Sequence, residues 1–119
     1  MDERNTTTQI SILQWNGICA HQNELRNYLA VNRNKYDVIC LQETFLEPGK
    51  SFLLPGYNVV RSDRITGDKG GLLTLVKNTI NYTELCSLNS IECQILNIKL
   101  VSSYLQIVNV YLPPNKPVN

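Results

Sequence analysis

Two polar residues stand where apolar runs end. DVICLQETFL (Asp37–Leu46) is apolar through Val38–Leu41 and then stops on Gln42, Glu43 and Thr44. QISILQWN (Gln9–Asn16) closes on Asn16 in the same way. An amide oxygen and a carboxylate oxygen are hard ligands. They suit Mg²⁺, which takes few protein ligands and keeps waters that a phosphate can displace, and they would make a poor zinc site. A third apolar run carries Asn109 and Tyr111 just before paired prolines, and a phenol there could donate to a phosphoryl oxygen. RSDRITGDKGG sets Arg61, Arg64 and Lys69 around a glycine-rich turn, a pattern able to track a phosphate backbone. It lacks the Walker spacing and the Lys-Ser/Thr pair of a P-loop.

Each residue also has a plainer reading. Asn16 could bond backbone groups in a turn, and Glu43 could pair with a lysine. Tyr111 could be a half-buried strand tyrosine. The Arg64–Lys69 loop could be a solvated surface, and His21, the single histidine, a capping or surface residue.

The elements that must position these groups follow from periodicity. Gln9–Asn16 and Asp37–Glu43 read as buried strands, and Asn23–Lys35 between them as a helix. Asn23 would cap it, Leu25, Tyr28 and Leu29 share one face, and Arg33 and Lys35 suit its C-terminal end. A β-α-β crossover makes its two strands parallel and right-handed. It puts both carboxyl ends on one sheet edge, where open α/β sheets bind ligands. Strands about 4.8 Å apart would bring Asn16 and Glu43 to one small site. Leu46–Tyr57, with two Pro-Gly steps, reads as a loop. YNVVRSD, GGLLTLVKN and INYTELCSL read as strands, and ECQILNIKL with YLQIVNVYL as a hairpin around VSS. Residues 1–8 read as a loose leader and 9–119 as one domain.

The 119 residues are 43% hydrophobic and 18% charged, with net charge +1. That is a globular composition, able to bury about two-thirds of its unfolded surface. A nucleic-acid enzyme of this balance needs a local basic patch rather than a global field. Four cysteines without CxxC spacing or a Cys/His cluster argue against zinc. The polar N-terminus has no signal-peptide core, and no run reaches the ~20 apolar residues of a membrane span. An intracellular protein, nuclear or cytoplasmic, is expected.

LQWN (13–16), DVICLQETFL (37–46), LPGYNVVRSDR (54–64), GGLLTLVKN (70–78) and IVNVYLPPN (107–115) occur in this order. Together they resemble the endonuclease/exonuclease/phosphatase superfamily, and within it the apurinic-type endonuclease domain that opens jockey-like non-LTR retrotransposon polyproteins ahead of their reverse transcriptase. The resemblance covers nearly the whole chain from Gln9. It implies an α/β (α+β) fold, the N-terminal half of a four-layer α/β sandwich. One mostly complete β-sheet and one helix are expected here. It implies phosphodiester hydrolysis with Mg²⁺ (Mn²⁺ as substitute) on a DNA substrate. By resemblance Asn16 and Glu43 sit at the metal, Tyr111 helps hold the scissile phosphate, and Asn115 falls in a loop that contacts DNA. Arg64, Lys69 and Asn109 are further candidate nucleic-acid contacts.

The family's later Asp-x-Asn and Asp-His motifs are not among these 119 residues. The chain is therefore expected to hold half of the catalytic set and to show no turnover alone. Half a sandwich would also expose one inner sheet face, so self-association is expected. Two alternatives stand beside DNA nicking. One is a phosphoinositide or sphingolipid phosphodiesterase, which shares the same motifs. The other is a catalytically silent remnant that binds nucleic acid or a partner.

Overall fold

Strand β1 (Ile12–Asn16), helix α1 (Gln22–Val31) and strand β2 (Val38–Gln42) form the expected crossover, and β1 pairs with β2 in parallel, Asn16 opposite Gln42. The computed structural model describes residues 9–16, 22–32, 35–44, 51–62, 71–85 and 92–111. The helix is shorter than the sequence suggests. Asn32 ends it, directing both its backbone N–H and its side-chain amide to the Tyr28 carbonyl, each at 2.9 Å. A local side-chain bond of this kind competes with further helical turns, so Lys35 lies beyond the helix. Asn23 lies inside the first turn rather than capping it. Leu25 and Leu29, one turn apart, are the buried stripe.

Strands β3 (Tyr57–Ser62) and β4 (Leu72–Lys77) complete a four-stranded sheet in the order β1-β2-β4-β3, with β4 antiparallel to both its neighbours. The Pro55-Gly56 step turns the chain into β3. Gly56 takes φ 89° and the Tyr57 N–H reaches the Leu54 carbonyl at 3.2 Å, a turn that needs glycine at its third position. Interior strands β2 and β4 are buried on both faces, which is why they read as unbroken apolar runs.

A second sheet stands beside the one expected in this chain. Strands β5 (Tyr82–Glu84), β6 (Glu92–Lys99) and β7 (Tyr104–Tyr111) form an antiparallel sheet of their own, with β6 and β7 the expected hairpin. Two apolar layers result. Helix α1 and Phe52 cover one face of the first sheet through Leu25, Leu29, Ile39, Leu41, Leu73 and Leu75. The second sheet covers the other face, Leu96, Ile98 and Ile107 packing on Val38, Cys40, Val60 and Val76. The inner faces therefore bury each other, and the bare inner face expected from half a sandwich is absent among the described residues. Apolar surface is left instead on the outside of β7, where Val108 is 53% and Val110 40% exposed. Among the described residues no helix is long and apolar enough to cross a membrane.

Candidate active site

Strict alternation along β2 would send Glu43 to the helix side, because Ile39 and Leu41 face α1 and Val38 and Cys40 face the second sheet. Glu43 breaks that alternation with φ 53°. A left-handed backbone at a non-glycine residue costs about 1–2 kcal/mol and persists where the surroundings enforce it. Here the next residue is anchored: the buried Thr44 donates its N–H to the Gly71 carbonyl at 3.3 Å. The turn aims the Glu43 carboxylate at the second sheet. There the Tyr111 hydroxyl, at the end of β7, donates to Glu43 Oε1.

Asn16 closes β1 in register with Gln42 and is exposed. Asn16, Glu43 and Tyr111 thus stand at the carboxyl ends of three strands from two sheets, with Glu43 and Tyr111 in direct contact and Asn16 one strand away. All donor atoms are oxygens. Among the described residues no three His, Cys, Asp or Glu side chains gather. One carboxylate and one amide fit a hard cation that keeps most of its water, as Mg²⁺ does. They do not match the nitrogen and sulfur set of a zinc site.

Asn109 is placed differently. It is 1% exposed, and its Nδ2 donates to the Leu41 and Leu73 carbonyls (3.3 and 3.4 Å), Thr74 Oγ1 (3.2 Å) and Gln94 Oε1 (3.4 Å). Such an amide ties sheets together and offers nothing to a nucleic acid, so its expected contact role gives way to a structural one. Arg64, Lys69 and Asn115 lie outside the described residues, as does His21.

Further polar side chains join Asn109, and apart from Gln42 none of them stands out in the sequence as a site residue. Gln14 Nε2 donates to Gln42 Oε1 and Gln42 Nε2 to Asn109 Oδ1, both at 3.0 Å. Thr74 Oγ1 donates to Gln94 Oε1 at 2.8 Å, and Gln94 Nε2 to the Val60 carbonyl at 3.0 Å. Gln42, Thr74, Gln94 and Asn109 are all buried. Their signal in the sequence is one polar residue in each of four apolar strands, VICLQ, LLTLV, CQIL and IVNVY. A cleft of about 210 Å³ opens elsewhere, beside α1 between Arg26, Leu29 and Tyr57, and holds none of the candidate residues.

The sequence and the fold have relatives. The sequence is 28% identical over 114 residues to the RNA-directed DNA polymerase from mobile element jockey of Drosophila melanogaster, covering 92% of this chain and 12% of that protein. The structure is similar to the endonuclease domain of TRAS1, a telomere-specific non-LTR retrotransposon, with a TM-score of 0.65 at 16% identity, covering 92% of this chain and 47% of that one. The chain thus spans about half of the solved domain and about an eighth of the jockey protein. Residues 18–118 match the sequence pattern of the Endonuclease/Exonuclease/phosphatase family, and the chain belongs to that family.

Proposed function

We propose that this chain supplies one half of a divalent-metal-dependent DNA endonuclease site, used by a longer retrotransposon protein to nick target DNA. The observation that carries the reading is the meeting of Glu43 and Tyr111 across two sheets, beside Asn16. Glu43 and Asn16 would hold Mg²⁺, whose charge would polarise a phosphoryl oxygen. Tyr111 holds its hydroxyl proton at Glu43 Oε1 and can offer that hydrogen bond to a phosphate instead. The kinship with the jockey and TRAS1 proteins favours DNA over a lipid phosphodiester. The reading gives this chain the metal ligands and one phosphate contact but no base, so the 119 residues alone should show no turnover.

Nicking of supercoiled plasmid by a protein extended through the rest of the domain tests this. Activity should require Mg²⁺, stop with EDTA, and fall more than roughly a hundredfold in Glu43→Ala, beyond the loss typical of residues that only support a metal ligand. Undiminished nicking by Glu43→Ala would remove the metal assignment.

The isolated chain should also self-associate. Strand β7 pairs only with β6 among the described residues, and its outer face shows Tyr104, Val108 and Val110, an apolar edge of the kind that recruits another chain. Sedimentation should give a concentration-dependent mass that Val108→Lys lowers. A monomer at every concentration would rule this out.

A further inference from the structure

We infer that Gln42 and Asn109 are positioning residues: their amide pair, bridging the two sheets directly behind Glu43 and Tyr111, sets where those two side chains meet. The inference rests on the reading of Glu43 as a metal ligand only for its metal-binding arm.

Gln42 immediately precedes Glu43, and Asn109 lies two residues before Tyr111 on the same face of β7. The Gln42 amide donates to Asn109 Oδ1 at 3.0 Å and to the Val110 carbonyl at 3.5 Å. Asn109 in turn donates to the carbonyl of Leu41, two residues before Glu43. The ends of β2 and β7, which carry Glu43 and Tyr111, are therefore each held by the other strand's amide.

The orientation of both amides is forced. Backbone carbonyls only accept, so the Leu41 and Leu73 carbonyls fix Asn109 Nδ2 toward the first sheet and leave Oδ1 for Gln42. Gln42 Oε1 is taken by Gln14 Nε2, and Gln94, held by the Val60 carbonyl, accepts from Thr74. No buried side-chain nitrogen or oxygen among the described residues lacks a partner. A satisfied polar network specifies one arrangement of the groups it joins, whereas apolar contacts tolerate sliding. The rest of the inter-sheet layer is apolar. Its polar part joins the ends of β2 and β7 that carry Glu43 and Tyr111.

The test reads the Glu43–Tyr111 contact without metal. In the 119-residue chain, carbon-13 NMR of the Glu43 carboxyl, assigned with Glu43→Gln, gives the bonded position, and Tyr111→Phe gives the broken one. Gln42→Met, which keeps length and loses the amide, should move the resonance to the Tyr111→Phe position while circular dichroism stays folded. Gln42→Asn, one methylene shorter, is the milder variant should Gln42→Met not fold, and should move it the same way. Val76→Ala weakens the apolar part of the same layer and should leave it in place. A resonance unmoved by the folded Gln42 variants, or moved equally by Val76→Ala, overturns the inference.

Mn²⁺ binding, followed by electron paramagnetic resonance, adds the second readout. Affinity should fall on the order of tenfold in the Gln42 variant, as for residues that orient a ligand, and not in Val76→Ala. An unchanged affinity in the Gln42 variant would overturn the positioning role at the metal. Failure of the parent chain to bind Mn²⁺ would overturn the metal reading of Glu43, and the carboxyl resonance would then decide the amide pair by itself.

Discussion

Thr74 and Leu75 are neighbours on β4 and face opposite layers. Leu75 belongs to the helix layer, which is made of leucine, isoleucine and phenylalanine and bordered by Trp15, Tyr28, Tyr36 and Tyr57. Thr74 belongs to the layer between the sheets, which is apolar around Val38, Cys40 and Val76 and polar where Gln42, Gln94 and Asn109 cross it. Both layers are lined by buried side chains. The helix layer holds the fold by area and shape. The inter-sheet layer adds a directional lattice under the strand ends that carry Glu43 and Tyr111. The difference teaches that stability and site geometry in this chain are carried by different faces of the same strands.

The largest expected effect is on the helix layer. Leu75 is fully buried, so Leu75→Ala should cost about 2–5 kcal/mol through lost transfer energy and a residual cavity. Urea denaturation measures the loss. The Glu43 carboxyl resonance of the folded fraction should not change. A shifted resonance would mean that the two layers are coupled and would break the comparison.

Next comes the apolar part of the inter-sheet layer, where burial pushes the Cys40 thiol up to about 11 from its ordinary value near 9. A raised thiol is neutral in the folded chain when the unfolded chain would already be charged. Its contribution is therefore intact below about pH 9 and is lost as pH rises toward 11, up to roughly 3 kcal/mol. Stability measured against pH should fall across that window in the parent and fall less in Cys40→Ala. Equal slopes would show that water reaches this layer. Thr74→Val probes the polar part. It removes one partner each from Asn109 and Gln94 at nearly constant volume and should cost about 1–3 kcal/mol. Unlike Leu75→Ala, it should displace the Glu43 resonance.

How much of this was legible in the sequence depends on range. The parallel crossover and the β6–β7 hairpin are local, and their apolar runs and turns declare them. So does the pairing of Asn16 with the end of β2, because the crossover fixes which edge both strands face. The membership of β5, β6 and β7 in a second sheet was not legible, since the choice of sheet is made by tertiary packing and not by any property of the strands. The burial of Asn109 follows from the same packing. In sequence it looks like Tyr111, one more polar residue at a strand end. Only the second sheet shows that Asn109 is inside and Tyr111 at the rim. The turn at Glu43 was invisible as well, because nothing in LQET announces a left-handed backbone at glutamate. Arg33 and Lys35 suit a helix end and so extend the helix that the sequence suggests, whereas the competing bond is made by Asn32.

The smallest expected effect tests whether the helix layer is as non-directional as the comparison claims. At its rim the Arg26 guanidinium lies over the Phe52 ring, 4.7 Å from the centroid, and donates to the Leu53 carbonyl at 2.9 Å. These contacts tie α1 to the segment before β3. Lysine keeps the charge but not the planar fork that stacks and bonds at once. An exposed contact of this type is worth about 0.5–1 kcal/mol, so Arg26→Lys should lower urea stability by about that much and leave Mn²⁺ affinity unchanged. A loss as large as that of Leu75→Ala would mean that α1 is held by a directed rim contact rather than by Leu25 and Leu29. The contrast would then lie between the two ends of the molecule and not between its two layers.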